Sequence, residues 1–160
     1  MGILFSGGEL IDIAVGIERN GVAFYETLQE STKDESTSSI YRRLADMEKT
    51  HIDIFEGMRT RLSDYQPEGD YSGEYDQYLR SLVNSHVFPN DKVARDTARQ
   101  VQNDSHALQI AIGAEKDSVL FYMEMRELVR PVDRNMVDKV IAEEKSHIIE
   151  LIGIKKQLTS

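Results

Sequence analysis

The 160-residue sequence contains no cysteine. That excludes disulfides, zinc ribbons, thiolate-held iron and a cysteine nucleophile, and leaves histidine and carboxylate as the strong metal ligands. Basic residues are outnumbered: 19 Lys and Arg against 28 Asp and Glu give a formal charge of −9. No clustered basic face appears, so nucleic acid is not an expected partner. No apolar run approaches the length that spans a bilayer, and the N-terminus lacks a basic region followed by an apolar core and a cleavage site. A cytoplasmic protein with no membrane partner is the expectation. The first six residues, Met1 to Ser6, do match the short N-myristoylation pattern; packing of Ile3, Leu4 and Phe5 against a neighbour is the expected use of these residues. With three prolines in the whole chain and no alternating strand-like runs, little interrupts helical periodicity.

What is present is an all-α pattern of a length suited to one domain over residues 1–160. Four long helices are expected at about 7–30, 36–63, 104–129 and 132–158. The first should face inward with Leu10 or Ile11, Ala14, Glu18, Val22 and Tyr25; the second, capped by Ser or Thr, with Tyr41, Leu44, Glu48, His51, Phe55, Met58 and Leu62. The third should bury Leu108, Ala111 or Ile112, Glu115, Val119, Tyr122 and Met125, and end at Arg130-Pro131. The fourth should bury Val137, Val140 or Ile141, Glu144, His147, Ile148 and Leu151. Between residues 64 and 103 the pattern weakens to short helices, about 73–86 and 91–101. A helix of this length spans roughly 40 Å, so a long return connection fits two helical hairpins joined into a bundle.

The chain repeats itself. Gly16-Ile17-Glu18 through Phe24-Tyr25 aligns without a gap on Gly113-Ala114-Glu115 through Phe121-Tyr122. Each first Glu is followed, 30 residues later in one half and 29 in the other, by Glu-x-x-His: Glu48 with His51, and Glu144 with His147. Residues three apart on a helix lie about 60° apart and about 4.5 Å along the axis, so such a Glu and His can grip one ion together. A pseudo-two-fold pairing of the halves would set the motifs face to face, Glu48 and Glu144 bridging, Glu18 with His51 completing one ion and Glu115 with His147 the other. Two divalent cations would also neutralise four clustered carboxylates that otherwise repel. Mixed carboxylate and imidazole ligation suits iron or manganese, and zinc would bind as well. Two ferrous ions with open positions suit redox reaction with a small oxidant.

Tyr25 and Tyr122 lie two turns beyond Glu18 and Glu115, where a phenol can be an ordinary core aromatic or hydrogen-bond a ligand carboxylate. His86 and His106 lack a ligand partner at useful spacing and read as surface or structural; Met47, Met58, Met123, Met125 and Met136 read as helix packing.

On these residues the chain resembles rubrerythrin-type members of the ferritin-like superfamily, and its ligand pattern is similar to that of bacterioferritin. The resemblance covers nearly the whole chain. It implies a di-iron four-helix bundle with one long crossover between helices 2 and 3, in which Glu18, Glu48, His51, Glu115, Glu144 and His147 are the ligands and catalytic centre. Rubrerythrins proper carry a further Glu three residues after the helix-3 ligand, where this chain has Ser118, and a cysteine-based rubredoxin domain that this chain lacks. The expected function is reaction of a di-iron centre with peroxide or dioxygen, as a peroxidase or a ferroxidase of ferrous iron, with electrons from a separate donor. Iron storage in a closed shell, or a bundle that metals merely stabilise, are the competing readings. A homo-oligomer is expected on family grounds.

Overall fold

The computed structural model describes residues 4–159, and among them it contains six α-helices, one short 3-10 helix and no strand. The long helices are α1 (Gly7–Ser31), α2 (Glu35–Leu62), α5 (Asp104–Leu128) and α6 (Arg134–Thr159); α3 (Gly73–Asn84) and α4 (Asp91–Gln100) form the connection, and the 3-10 helix Pro131–Asp133 leads into α6. The myristoylation pattern and Ile3 fall on or include residues outside this range. Leu4 and Phe5 do pack on the core, as expected of them.

Local chemistry sets the boundaries. Ser6 caps α1, its Oγ accepting from the Glu9 amide at 3.2 Å and so satisfying a donor the first turn leaves free, while its hydroxyl donates to the Glu9 carboxylate at 3.2 Å. The cap of α2 is Asp34, which accepts from the Thr37 amide at 2.8 Å, in place of the Ser or Thr that the sequence suggests; a carboxylate serves the same donors. Asn90 and Asn103 cap α4 and α5. The chain leaves α5 at Val129, with Arg130 extended before Pro131 because the ring disfavours helical backbone there.

The α1 and α2 pair and the α5 and α6 pair are each antiparallel hairpins with short links, and α1 also meets α5 across the bundle. Gly7 lets the start of α1 lie on the end of α2: a Cβ there would sit 2.1 Å from the Leu62 carbonyl oxygen. In the connection, α3 lies on α5 and α4 on α1. Asn20 donates to the Phe88 carbonyl at 2.9 Å, the Val87 amide donates to Asp117 at 3.2 Å, and the Phe88 ring packs on Phe24 at 4.8 Å. These contacts fasten residues 85–90 between α1 and α5.

The core divides in two. One cluster holds Leu10, Ile11, Phe55, Met58, Tyr122, Met125 and Val140; the other holds Phe24, Tyr25, Tyr41, Leu44, Leu108, Ala111 and Leu151. On every long helix the two sets are separated by a buried polar step: Glu18, then Glu48 and His51, then Glu115, then Glu144 and His147. The inward stripes follow the sequence periodicity except at Val22, Val119 and Ile148, which are half-buried. On α5 the buried neighbour of Val119 is Ser118, which lies three residues after Glu115 and so on the same inward face. Met58 and Met125 pack as expected, whereas Met123 is 49% and Met136 37% exposed; both lie on outward faces.

Candidate metal centre

The four helices bring the six repeated residues into one layer. Glu18, Glu48, His51 and Glu144 form one group, and Glu48, Glu115, Glu144 and His147 a second; within each group the offered ligand atoms lie within 4.8 Å of one another. Glu48 and Glu144 belong to both, which is the bridging position the helix geometry predicts. Both histidines turn Nδ1 inward. His51 Nδ1 is 2.8 Å from Glu144 Oε1 and 3.4 Å from Glu18 Oε2, while His147 Nδ1 is 3.4 Å from Glu144 Oε2, 3.6 Å from Glu48 and 3.7 Å from Glu115. The imidazole rings face each other at 6.0 Å.

These contacts leave the layer incomplete. Glu18 Oε2, Glu48 Oε1, both Glu144 oxygens and the Nδ1 atoms of His51 and His147 are buried without a hydrogen-bond partner. A buried polar atom without a partner costs about 1–3 kcal/mol, and more when charged. Six such atoms pointing into one layer, all oxygen or imidazole nitrogen, are a donor set that fits two divalent ions and fits nothing apolar. The titration behaviour agrees. Burial, then the negative charges of the neighbouring glutamates, pushes Glu48 and Glu144 well above the ordinary carboxylate range. Burial also opposes charge on Glu18 and Glu115, but the close approach of Glu48, His51 and the Tyr122 hydroxyl to the first, and of Glu144, His147 and the Tyr25 hydroxyl to the second, outweighs it and holds both low, Glu115 at about 2. His51 is pushed up to about 11, burial being outweighed by Glu18 and Glu48. Protons thus stand in for cations on the bridging pair.

Three further residues support the layer. The Tyr25 hydroxyl donates to Glu115 at 2.7 Å, and Tyr122 donates to Glu18 at 2.6 Å. Each phenol thus serves the glutamate of the opposite half, not the one on its own helix. Two turns of helix separate Tyr25 from Glu18, whereas the facing helix brings Glu115 to its tip. Burial, then the nearby carboxylate charges, keep both phenols protonated. Glu143, which the motif reading passed over, accepts from His51 Nε2 at 2.6 Å. Such a bond orients an imidazole and raises its basicity as a ligand. Its repeat mate is Met47, so the halves are not equivalent here. Nothing in the linear sequence marks Glu143, since the contact runs from α6 to α2.

Of the two remaining histidines, His106 is exposed and its Nδ1 accepts from the Gln102 amide at 3.2 Å, a structural role. His86 also makes a structural contact. It is half-buried, its Nδ1 accepts from the Phe88 amide at 3.4 Å, and its Nε2 is buried without a partner. It lines a cavity against Glu48 and Glu115.

A four-helix bundle with a duplicated carboxylate and histidine layer defines a class of di-metal carboxylate proteins. The chain belongs to the rubrerythrin family, whose profile matches residues 9–151. It is also similar in fold to a Thermotoga maritima protein described as a ferritin-like diiron-carboxylate protein, with 24% identity, a TM-score of 0.73 and 98% of each chain covered. Comparison with curated proteins gives no match. Among the described residues, no helix is long and apolar enough to cross a membrane.

Proposed function

We propose that the protein is a di-iron oxidoreductase that uses a small oxidant, as a peroxidase or a ferroxidase. The observation that carries this reading is the pair of ligand groups fused through Glu48 and Glu144, with six unpartnered buried donor atoms. A pair of ferrous ions bound there supplies the two electrons that, with two protons, convert hydrogen peroxide to two molecules of water. Glu18 with His51 and Glu115 with His147 would hold the outer sides, and Glu48 and Glu144, common to both groups, would be shared. Tyr122 and Tyr25 fix Glu18 and Glu115 by hydrogen bonds, and the two flanking apolar clusters exclude bulk water. Peroxidase turnover would draw its electrons from a separate donor. The relation to the Thermotoga protein supports iron over zinc.

Stopped-flow mixing of anaerobically reconstituted ferrous protein with peroxide and with oxygen tests the proposal. Oxidation well above that of the Glu48→Ala variant is expected; equal rates would sink it. A native mass of a monomer or dimer would separately dispose of storage in a closed shell.

A further inference from the structure

The repeat places two small residues at equivalent positions: Gly21 and Ser118 each follow a first-of-pair glutamate by three residues. On a helix that offset points to the same face as the glutamate. Both residues line a cavity of about 20 Å³ between α1 and α5, together with Tyr25, Glu48 and Glu115. Residues 86 and 88 of the α3 to α4 link close it. Ile17, Gly21, His86 and Ala114 in its wall are half-buried, so it lies between the carboxylate layer and solvent. The volume admits a molecule about the size of water or peroxide. Any organic substrate is too large.

Two polar groups in the wall have no task in the layer: the Ser118 hydroxyl, which donates to the Ala114 carbonyl of its own helix at 3.0 Å, and the His86 imidazole. His86 Nδ1 accepts the Phe88 amide, which places the proton of the neutral ring on Nε2. Nε2 is buried with no acceptor in the protein. Burial also lowers the basicity of this imidazole, which favours the neutral ring. His86 lines this space, and an unpartnered N–H on a residue of its wall suits a small ligand with oxygen lone pairs. Tyr25 donates its hydrogen to Glu115, so its phenol oxygen retains a lone pair for an O–H of the same ligand. Hydrogen peroxide has both functions; dioxygen has no O–H and is a poor acceptor.

We propose that this cavity is the docking site for hydrogen peroxide beside the metal pair, and that His86 positions the peroxide by donating from Nε2 to one of its oxygens. The proposal rests on the oxidoreductase reading above, and its test separates the two. Zinc-loaded protein, which cannot reduce peroxide, is labelled with ¹⁵N-histidine and titrated with hydrogen peroxide. A saturable shift of the His86 Nε2–H resonance is expected, lost in Ser118→Leu and weakened in Gly21→Ala. A Cβ at residue 21 would meet Glu48 at 3.4 Å, an ordinary contact, so the second variant folds even where the first does not. In the ferrous protein, His86→Phe should raise the half-saturating peroxide concentration about 5–10-fold, the loss of one hydrogen bond; prepared separately with zinc, the same variant should still take up two zinc ions per chain. Wild-type ferrous protein should also discriminate strongly against tert-butyl hydroperoxide. An unmoved His86 resonance, or a shift unaffected by Gly21→Ala and Ser118→Leu, overturns the docking site. A saturable shift without accelerated ferrous oxidation supports the docking site and overturns the oxidoreductase reading.

Discussion

Loading the metal-free protein with two divalent ions at pH 6 should expel about three protons. Glu48 and Glu144 hold their protons well above the ordinary carboxylate range, through burial and the charges of their neighbours. His51, pushed up to about 11, is an imidazolium at that pH. Glu18 and Glu115 are already ionised, the latter with a pKa of about 2. Ligation needs four carboxylates and free imidazole lone pairs, so the two bridging carboxyls and His51 must each give up a proton. Each released proton steepens the pH dependence of the overall binding constant by about tenfold per pH unit, or about a thousandfold for three. Calorimetric titration with zinc in two buffers of different protonation enthalpy counts the protons directly. Release of fewer than about one proton, or an affinity independent of pH, would refute the account of the layer as proton-stabilised when metal-free. Stability follows the same signs. The contributions of Glu48 and Glu144 are complete below 4.5 and fade as pH rises through their raised values, and that of His51 is complete below 6.5 and fades toward about 11. Glu18 and Glu115 work oppositely, contributing above 4.5 and losing this as pH falls toward their lowered values. Melting temperature of the metal-free protein should therefore peak near pH 4.5 and decline through neutrality, whereas that of the loaded protein should rise with pH over the same interval.

Three mutational predictions accompany this one. Tyr25→Phe should cost about 1–3 kcal/mol in denaturant unfolding, and a double-mutant cycle should couple it more strongly to Glu115→Gln than to Glu18→Gln; the reverse order would contradict the crossed hydrogen bonds. Glu143→Gln should weaken zinc binding about 10–100-fold without unfolding the protein, because His51 loses the carboxylate that orients it; calorimetry showing unchanged affinity would reduce that contact to a surface pair. Asp133 is 1% exposed and accepts from Arg61 at 2.9 and 3.1 Å and from Arg130 at 3.1 Å. Its replacement by Ala should cost about 1.5–3 kcal/mol in urea unfolding, below the full value for a buried pair because both arginines are partly exposed.

The sequence by itself determined the helices and the ligand types. Helical periodicity, cap residues and Pro131 are local signals, and the boundaries they predict lie within two residues of those observed, the connecting helices included. The six repeated Glu and His residues were legible because helix geometry turns spacing into direction: Glu48 and His51 share a face wherever that helix packs. What lay beyond the sequence were relations between helices. Tyr25 reaches Glu115 and Tyr122 reaches Glu18, although each phenol is nearer in sequence to the other glutamate. Glu143 supports His51 from a different helix, while its repeat mate is a methionine. His86 stands in a connection of weak periodicity, and only the pinning of Phe88 by Asn20 and Phe24 brings it to the cavity it shares with Glu48 and Glu115. Spacing along one helix fixes which way a side chain points; what it meets depends on the rotation and offset of the helix it faces, and those are set by packing across the whole bundle.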